Sequence, residues 1–118
     1  MYLLIVVTLF SFQVNLVGKT FTYFDRITGS SESYTFIDNK KLKWVGKTEF
    51  GGKQYQDICY GTYSIEANKI RVIYACDDKE VYPDPHKEVF IFSSLNNTLT
   101  TTIHYDQTRK PRLFSLIK

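Results

Sequence analysis

The residues best suited to chemistry in this 118-residue sequence are its two cysteines. If Ala67 and Asn68 form the turn of a hairpin over residues 57–76, Cys59 lies opposite Cys76. That pair occupies a non-hydrogen-bonded position, where Cα atoms are about 4.5 Å apart, within the range that a disulfide spans. We therefore predict a Cys59–Cys76 disulfide in an exported protein, with two buried thiols as the alternative. Neither cysteine is predicted to be a nucleophile, since neither adjoins a helix N-terminus or an evident base.

The two histidines, His86 and His104, offer little further chemistry. His104 shares the parity of Thr100 and Thr102 and is predicted to face solvent. Acidic residues surround His86, but their spacing matches neither a calcium loop nor a zinc motif. These residues are Asp77, Asp78, Glu80 and Asp84. We interpret the segment as a solvated acidic loop and predict no metal, no cofactor and no enzymatic activity, a hydrolase being the most distant alternative.

The hairpin that carries the cysteines must have one apolar face, because strand side chains alternate. The apolar face holds Cys59, Gly61, Tyr63, Ile65, Ile70, Val72, Tyr74 and Cys76. A shift of one residue would destroy this pattern, so the register is well specified.

Further strands are predicted on either side of this hairpin. Residues 20–26 form a first strand, and residues 34–37 and 42–45 form a hairpin in which Tyr34 and Phe36 meet Trp44 and Leu42. Residues 89–95 and 99–105 form a hairpin around residues 96–98, with Leu95 opposite Leu99. The same register places Ile91 opposite Ile103 and Val89 opposite Tyr105. Residues 113–117 close the structure, and the polar segments 46–57 and 77–87 are predicted loops.

Together these elements predict an all-β protein, an antiparallel up-and-down meander of about eight short strands. Nine tyrosines and nine phenylalanines favour half-buried pleated surfaces, and no stretch has helical periodicity. Such a meander removes its exposed edges by closing, or nearly closing, into a small barrel.

The first eighteen residues carry no charged side chain. Their apolar run is shorter than the roughly 20 residues that a membrane-spanning helix needs, and it suits a secretory signal peptide. We therefore predict a cleaved signal over residues 1–18, a single domain over residues 19–118, and a secreted or periplasmic location with no membrane span after processing. The alternative is a hydrophobic first strand.

The net charge of +3 indicates solubility and no nucleic-acid partner. A basic cluster does surround Trp44, and it consists of Lys40, Lys41, Lys43 and Lys47. Trp44 shares the parity of Leu42, however, so the indole is predicted to point into the core while Lys41 and Lys43 face water.

The segment Tyr60-Gly61-Thr62-Tyr63-Ser64-Ile65, followed by Asn68-Lys69-Ile70, resembles a hairpin of small exported bacterial proteins described as lipocalin-like. The preceding Tyr34-Thr35-Phe36 strand and the signal-like Phe10-Ser11-Phe12-Gln13 are similar to theirs as well. The resemblance implies an antiparallel meander in the cell envelope or outside the cell, and it supplies no catalytic residues. The chain lacks the Gly-x-Trp that lipocalins proper carry near the first strand.

Two functions follow as hypotheses. The first is a binding module for a small apolar ligand inside the barrel, although the same side chains could simply fill it. The predicted interior residues are Tyr34, Phe36, Leu42, Trp44, Tyr63, Val72 and Tyr74. The second is an interaction or inhibitor module that binds a protein through loops 46–57 and 77–87, with Tyr55, Tyr82 and Pro83 as contacts.

Overall fold

Eight antiparallel strands in sequence order close into a barrel in the computed structural model, which describes residues 14–77, 84–102 and 111–117. The strands are β1 (Thr20–Phe24), β2 (Ser31–Phe36), β3 (Lys41–Phe50), β4 (Lys53–Glu66), β5 (Lys69–Ala75), β6 (His86–Ser93), β7 (Thr98–Thr101) and β8 (Leu113–Leu116). Strand β1 pairs with both β2 and β8, which closes the ring. The predicted all-β, up-and-down barrel is confirmed.

The registers of the two hairpins that were best specified by alternation are confirmed. Tyr63 pairs with Val72 across β4 and β5, and Ala67 adopts the left-handed conformation in the turn. Tyr34 pairs with Trp44 across β2 and β3. The disulfide between Cys59 and Cys76 is present, with a Cα–Cα distance of 4.6 Å.

The prediction that residues 46–57 form a loop is wrong. These residues extend β3 and β4 into a long hairpin arm, whose turn is made by Gly51 and Gly52, both at positive φ. The arm continues past the barrel wall, so it has solvent on both faces and needs no apolar residues for burial. Its polar composition, which we interpreted as a loop signal, is what an exposed two-stranded ribbon requires.

The predicted register of the third hairpin is also wrong. Leu99 pairs with Phe92 instead of Leu95, because the turn spans residues 94–97 and contains Asn97 at positive φ. This register buries Phe90 and Phe92 and leaves Leu95 89 % exposed. Two large rings enter the core where the predicted register would have placed Val89 and Ile91. The partners assigned to those residues, Ile103 and Tyr105, lie outside the described residues.

The barrel has two unlike ends, which we call the base and the mouth. The base is occupied by the segment before β1, where Leu16 is fully buried and the Gly18 amide donates to the Phe36 carbonyl at 2.7 Å. The predicted signal peptide overlaps this segment at residues 14–18, and its first thirteen residues lie outside the described ones. Within the described segments there is no helix of the length and apolarity needed to cross a bilayer. The disulfide is compatible with an oxidising, secreted or periplasmic environment.

Candidate functional site

The mouth of the barrel holds a cleft of about 320 Å³. We call it the mouth cleft, and it is lined by Glu32, Trp44, Tyr74, Cys76, Asp84, His86 and Arg112. The residues come from five different strands or their flanks, because antiparallel order brings the start of β2, β6 and β8 to the same end as the finish of β5. A volume near 300 Å³ lies at the lower end of the range for ligand pockets.

Three rings form one wall of the mouth cleft. The Trp44 and Tyr74 rings are stacked, with centroids 5.0 Å apart and planes 11° apart. The His86 ring lies 4.9 Å from Tyr74 on a tilt of 35°. The indole can lie flat along its own strand because Gly46, two residues later on the same face, has no side chain. The wall is therefore a fixed block of three rings.

The opposite side of the mouth is built on a buried guanidinium. Arg112, whose side chain is 14 % exposed, donates through Nη1 to Glu32 and through Nη2 to Glu88. Its amide also donates to the Thr101 hydroxyl at 2.8 Å, and its guanidinium lies 5.5 Å from the centroid of the Phe114 ring. Backbone and side chain are thus both fixed, so this arginine is held as a rigid charged group.

The two carboxylates are also tied to the ring wall. Trp44 Nε1 donates to Glu32 Oε1 at 3.2 Å, and His86 Nε2 lies 3.1 Å from Glu88 Oε1. Burial alone would lower the pKa of Arg112, but Glu32 and Glu88 outweigh it and raise that pKa. The guanidinium is therefore charged at every physiological pH, and the site holds fixed charges of both signs.

One hydroxyl group lies buried beneath this network. It belongs to Tyr34, and its one hydrogen-bonding neighbour among the described side chains is Tyr74. Burial, followed by the neighbouring Tyr74 and the carboxylates of Glu32 and Glu88, raises the Tyr34 pKa well above its ordinary value.

All seven predicted interior residues lie inside the barrel, where they belong to its packed core. Tyr34 makes edge contacts with Phe90 and Phe114 at centroid distances of 5.1 and 5.4 Å, and Phe36 contacts Tyr63 at 4.7 Å. Of the seven, only Trp44 and Tyr74 line the mouth cleft. The lower barrel is therefore a packed core.

Of the three predicted partner contacts, Tyr55 lies among the described residues. Tyr55 is 53 % exposed, but it lies on the strand of the arm and not on a loop. Tyr82 and Pro83 lie outside the described residues, as do Asp78, Glu80 and His104. Among the described residues, no three His, Cys, Asp or Glu side chains gather in a metal-binding arrangement.

A second depression of about 370 Å³ lies across the outer wall of β4, β5 and β6. Its walls include the outward-facing and exposed Thr62, Arg71, Ile73 and Lys87. The mouth cleft is smaller, but its lining has a guanidinium held by two carboxylates and a stacked pair of rings, and the lining of the outer depression has neither. We therefore assign the candidate site to the mouth.

Sequence reasoning missed the charged residues of this site. Glu32 has the parity of Tyr34 and Phe36, and Glu88 has the parity of Phe90 and Phe92. A carboxylate that shares the parity of buried rings signals an inward-facing charge, and β2 carries that signal because its other face is polar. Glu88 was hidden by the wrong register of β6, and Arg112 lies just outside the predicted closing strand, residues 113–117.

Comparison with known proteins yields no relationship for this chain: no family model matches it, and neither do any curated proteins or solved structures.

Proposed function

We propose that this protein is a non-enzymatic, exported, lipocalin-like binding module whose ligand is a small molecule held in the mouth cleft. The observation that carries the proposal is the contrast between the two ends of the barrel. The lower barrel is filled by contacting rings such as Phe21, Phe36 and Tyr63, whereas the mouth has a cleft of about 320 Å³ beside fixed rings and buried charges. Ligand sites combine apolar walls with a few oriented polar groups, and the mouth cleft has both.

A binding role agrees better with this site than catalysis does. The carboxylates of Glu32 and Glu88 both bind Arg112, so neither is poised as a free base. The disulfide joins both cysteines, which removes the thiols as nucleophiles. The remaining groups can orient and hold a molecule.

Export is supported by two independent features. The charge-free head of the sequence has the length of a signal peptide, and the disulfide requires an oxidising compartment to persist. A small barrel outside the cytoplasm with a polar cleft at one end is suited to capture a solute.

The function is tested with the single tryptophan as reporter. Trp44 lies in the cleft wall, so a bound molecule should change its emission, and calorimetry should give the stoichiometry. The panel comprises fatty acids, retinoids, haem and small aromatic solutes. Binding should weaken in His86→Ala, which removes one ring of the wall, and should persist in Lys87→Ala, which changes the outward-facing neighbour on the same strand.

The proposal fails if no member of the panel gives a saturable signal at millimolar concentration. It also fails if binding occurs but is equal in the His86→Ala and Lys87→Ala variants. The second result would place the ligand outside the mouth cleft.

The exposed arm supports a second candidate function, a protein-interaction module. Phe50 is 75 % exposed at the tip and Tyr55 is 53 % exposed three residues beyond the turn. Exposed aromatic residues on a projecting element are typical of interface anchors. Pull-down of an exported partner that is lost in Phe50→Ser/Tyr55→Ser would favour this function, provided that ligand binding at the mouth is unchanged in that variant.

A further inference from the structure

We propose that one side of the barrel docks on the surface of an anionic lipid bilayer. The docking surface is the outward-facing side of β3, β4, β5 and β6, which we call the basic wall. It lies outside the mouth cleft, so the inference does not depend on the proposed ligand-binding function. Three features support it: the segregation of charge around the barrel, the apolar residues at the centre of the wall, and the predominance of lysine.

Positive charge is segregated to one half of the barrel. The outward-facing positions of the eight strands, as the pairing registers define them, hold six cationic residues, and all six lie on the basic wall. These residues are Lys41, Lys43, Lys47, Lys69, Arg71 and Lys87. The outward-facing positions of β1, β2, β7 and β8 hold serine, threonine and apolar residues instead. Within its strands, the barrel therefore has a basic half and an uncharged half.

The acidic residues of the basic wall lie at its two ends. Glu49 lies near the tip of the arm, and Glu66 lies beside the β4–β5 turn at the base. Glu66 is 3.7 Å from Arg71, but the two side chains are 80 % and 53 % exposed, so water screens the pair. The middle of the wall therefore keeps a positive field, which attracts a surface of negative charge.

The centre of the basic wall is apolar and open to solvent. Tyr60 is 62 % exposed, Ile58 is 44 % exposed and Ile73 is 37 % exposed. The row of paired residues that contains Ile73 begins at Lys41 on β3 and ends at Lys87 on β6, so cations flank the apolar side chains on both sides. Lysines that meet headgroup phosphates would bring these side chains to the boundary with the acyl chains, where tyrosine is favoured.

The composition of the wall favours a bilayer over a protein or a nucleic acid. Five of its six cations are lysine, which is depleted from protein interfaces, whereas arginine is enriched there. Lysine is a point charge on a flexible stem, and this suits the diffuse field of many headgroups. Single-stranded nucleic acids require successive aromatic rings for stacking, and Tyr60 is the one aromatic residue at the outward-facing positions of these four strands.

The experiment measures sedimentation of the full chain, with its disulfide intact, in the presence of lipid vesicles. One set of vesicles contains phosphatidylcholine alone, and the other contains phosphatidylcholine and phosphatidylglycerol in equal parts. We expect saturable binding to the anionic vesicles and at least about tenfold weaker binding to the neutral ones, because each lysine adds to the attraction. Binding to the anionic vesicles should weaken as the salt concentration rises, since salt screens exposed charges.

Two double variants test the charges. Lys41→Gln/Lys87→Gln removes two exposed cations that flank the apolar centre, and it should weaken binding to anionic vesicles about fivefold for each charge removed. Lys19→Gln/Lys53→Gln makes the same change in net charge, but these lysines lie before β1 and at the arm tip, outside the basic wall. The control variant should bind as the native protein does.

A second pair of variants tests the apolar centre. Tyr60→Ser/Ile73→Ser should weaken binding to anionic vesicles at least about tenfold, because it removes the side chains that would leave water. Leu95→Ser changes a residue that is 89 % exposed in the β6–β7 turn, and it should have no effect. All the substituted wall residues in these tests are exposed, so the variants should keep the native Trp44 emission, which reports correct folding.

Three results would overturn the inference. The first is the absence of binding to anionic vesicles, and the second is equal binding to anionic and neutral vesicles. The third is equal binding of the Lys41→Gln/Lys87→Gln and Lys19→Gln/Lys53→Gln variants. Heparin serves as a soluble polyanion, and a protein that binds heparin but no vesicles would show that the wall recognises a soluble polyanion and not a bilayer.

Discussion

The indole of Trp44 lies over Gly46, where a Cβ would come within 2.8 Å of indole Cζ2. The Gly46→Ala substitution should therefore displace the ring, break its stacking on Tyr74 and cost about 1–3 kcal/mol of unfolding free energy. Urea unfolding and the Trp44 emission maximum measure the two effects. Thr48→Ala, the next exposed residue on the same face of the arm, is the control. An unchanged emission maximum in Gly46→Ala would contradict the packing described here.

Arg112 compensates two inward-facing carboxylates, so Arg112→Met should be strongly destabilising. Removal of one partner from a buried charge network costs about 3–5 kcal/mol. We expect a loss below that range, about 2–3 kcal/mol, because the Glu32 side chain is 23 % exposed and water screens its charge. The triple variant Arg112→Met/Glu32→Gln/Glu88→Gln should recover much of that loss, since no charge is then left unpaired. Equal stability of the single and triple variants would show that the charges are solvated.

Replacement of both cysteines by alanine should lower the free energy of unfolding by up to about 3 kcal/mol. The chain-entropy model gives that value for a loop of about 15 residues, and the separation here is 17 residues. The effect should be smaller than the model value because the β4–β5 ladder already holds the two strands together. Denaturant unfolding of the double variant and of the reduced native protein should give the same midpoint. A midpoint equal to that of the oxidised protein would contradict the prediction.

Leu16 is fully buried at the base, so Leu16→Ala should cost about 2–5 kcal/mol through lost burial and the cavity left behind. The matched control is Val17→Ala, because Val17 is exposed beside it. The free energy of unfolding also depends on where the signal peptide is cleaved. A signal cleaved after Gly18 would remove Leu16 and produce the same loss of stability, and intact mass of the exported protein shows where the mature chain begins.

Alkaline pH should destabilise the protein through Tyr34 and Tyr74. Burial, together with nearby carboxylates, raises the pKa of both phenols in the folded state. Above the unfolded-state pKa of about 10 the unfolded chain releases these protons while the folded chain retains them. Ionisation of these two tyrosines should therefore leave the free energy of unfolding unchanged below about pH 9. Above about pH 10 it should lower that free energy by about 1.4 kcal/mol per pH unit for each tyrosine.

Tyr34→Phe should remove one of these two contributions and so reduce the alkaline slope. Tyr55→Phe, which changes an exposed tyrosine, should leave the slope unchanged. Denaturant unfolding at several pH values between about 8 and 11 measures both slopes. A slope that is identical in the native protein and Tyr34→Phe would mean that Tyr34 ionises normally in the folded state.

The sequence was informative wherever a strand had one apolar face. Tyr63, Val72 and Tyr74 alternate with polar residues, and this alternation allows a single register, so both the hairpin and its disulfide could be predicted. The β6–β7 hairpin was ambiguous because Val89 and Ile91 alternate with Phe90 and Phe92, leaving both faces apolar. Such a strand gives no parity signal, and the turn at residues 94–97 decides the register.

The candidate site was harder to predict because it depends on contacts between distant strands. Glu32 and Arg112 are 80 residues apart in sequence. They pair because the sheet closes into a barrel, which local sequence patterns cannot specify. The arm was missed for the opposite reason: polar residues 47–56 carry no burial signal, although Gly51 and Gly52 mark the turn that joins its strands.

Arg112 connects three strands that are not neighbours in the sheet, since it lies at the start of β8 and binds Glu32 of β2 and Glu88 of β6. It therefore holds β2, β6 and β8 at a fixed distance from one another and so sets the diameter of the mouth. The aperture cannot widen for a bulky ligand without separating charges that are largely shielded from water. Size selection at this entrance would then be set by the reach of a single side chain, and a shorter cation in its place, as in Arg112→Lys, would alter which molecules can enter.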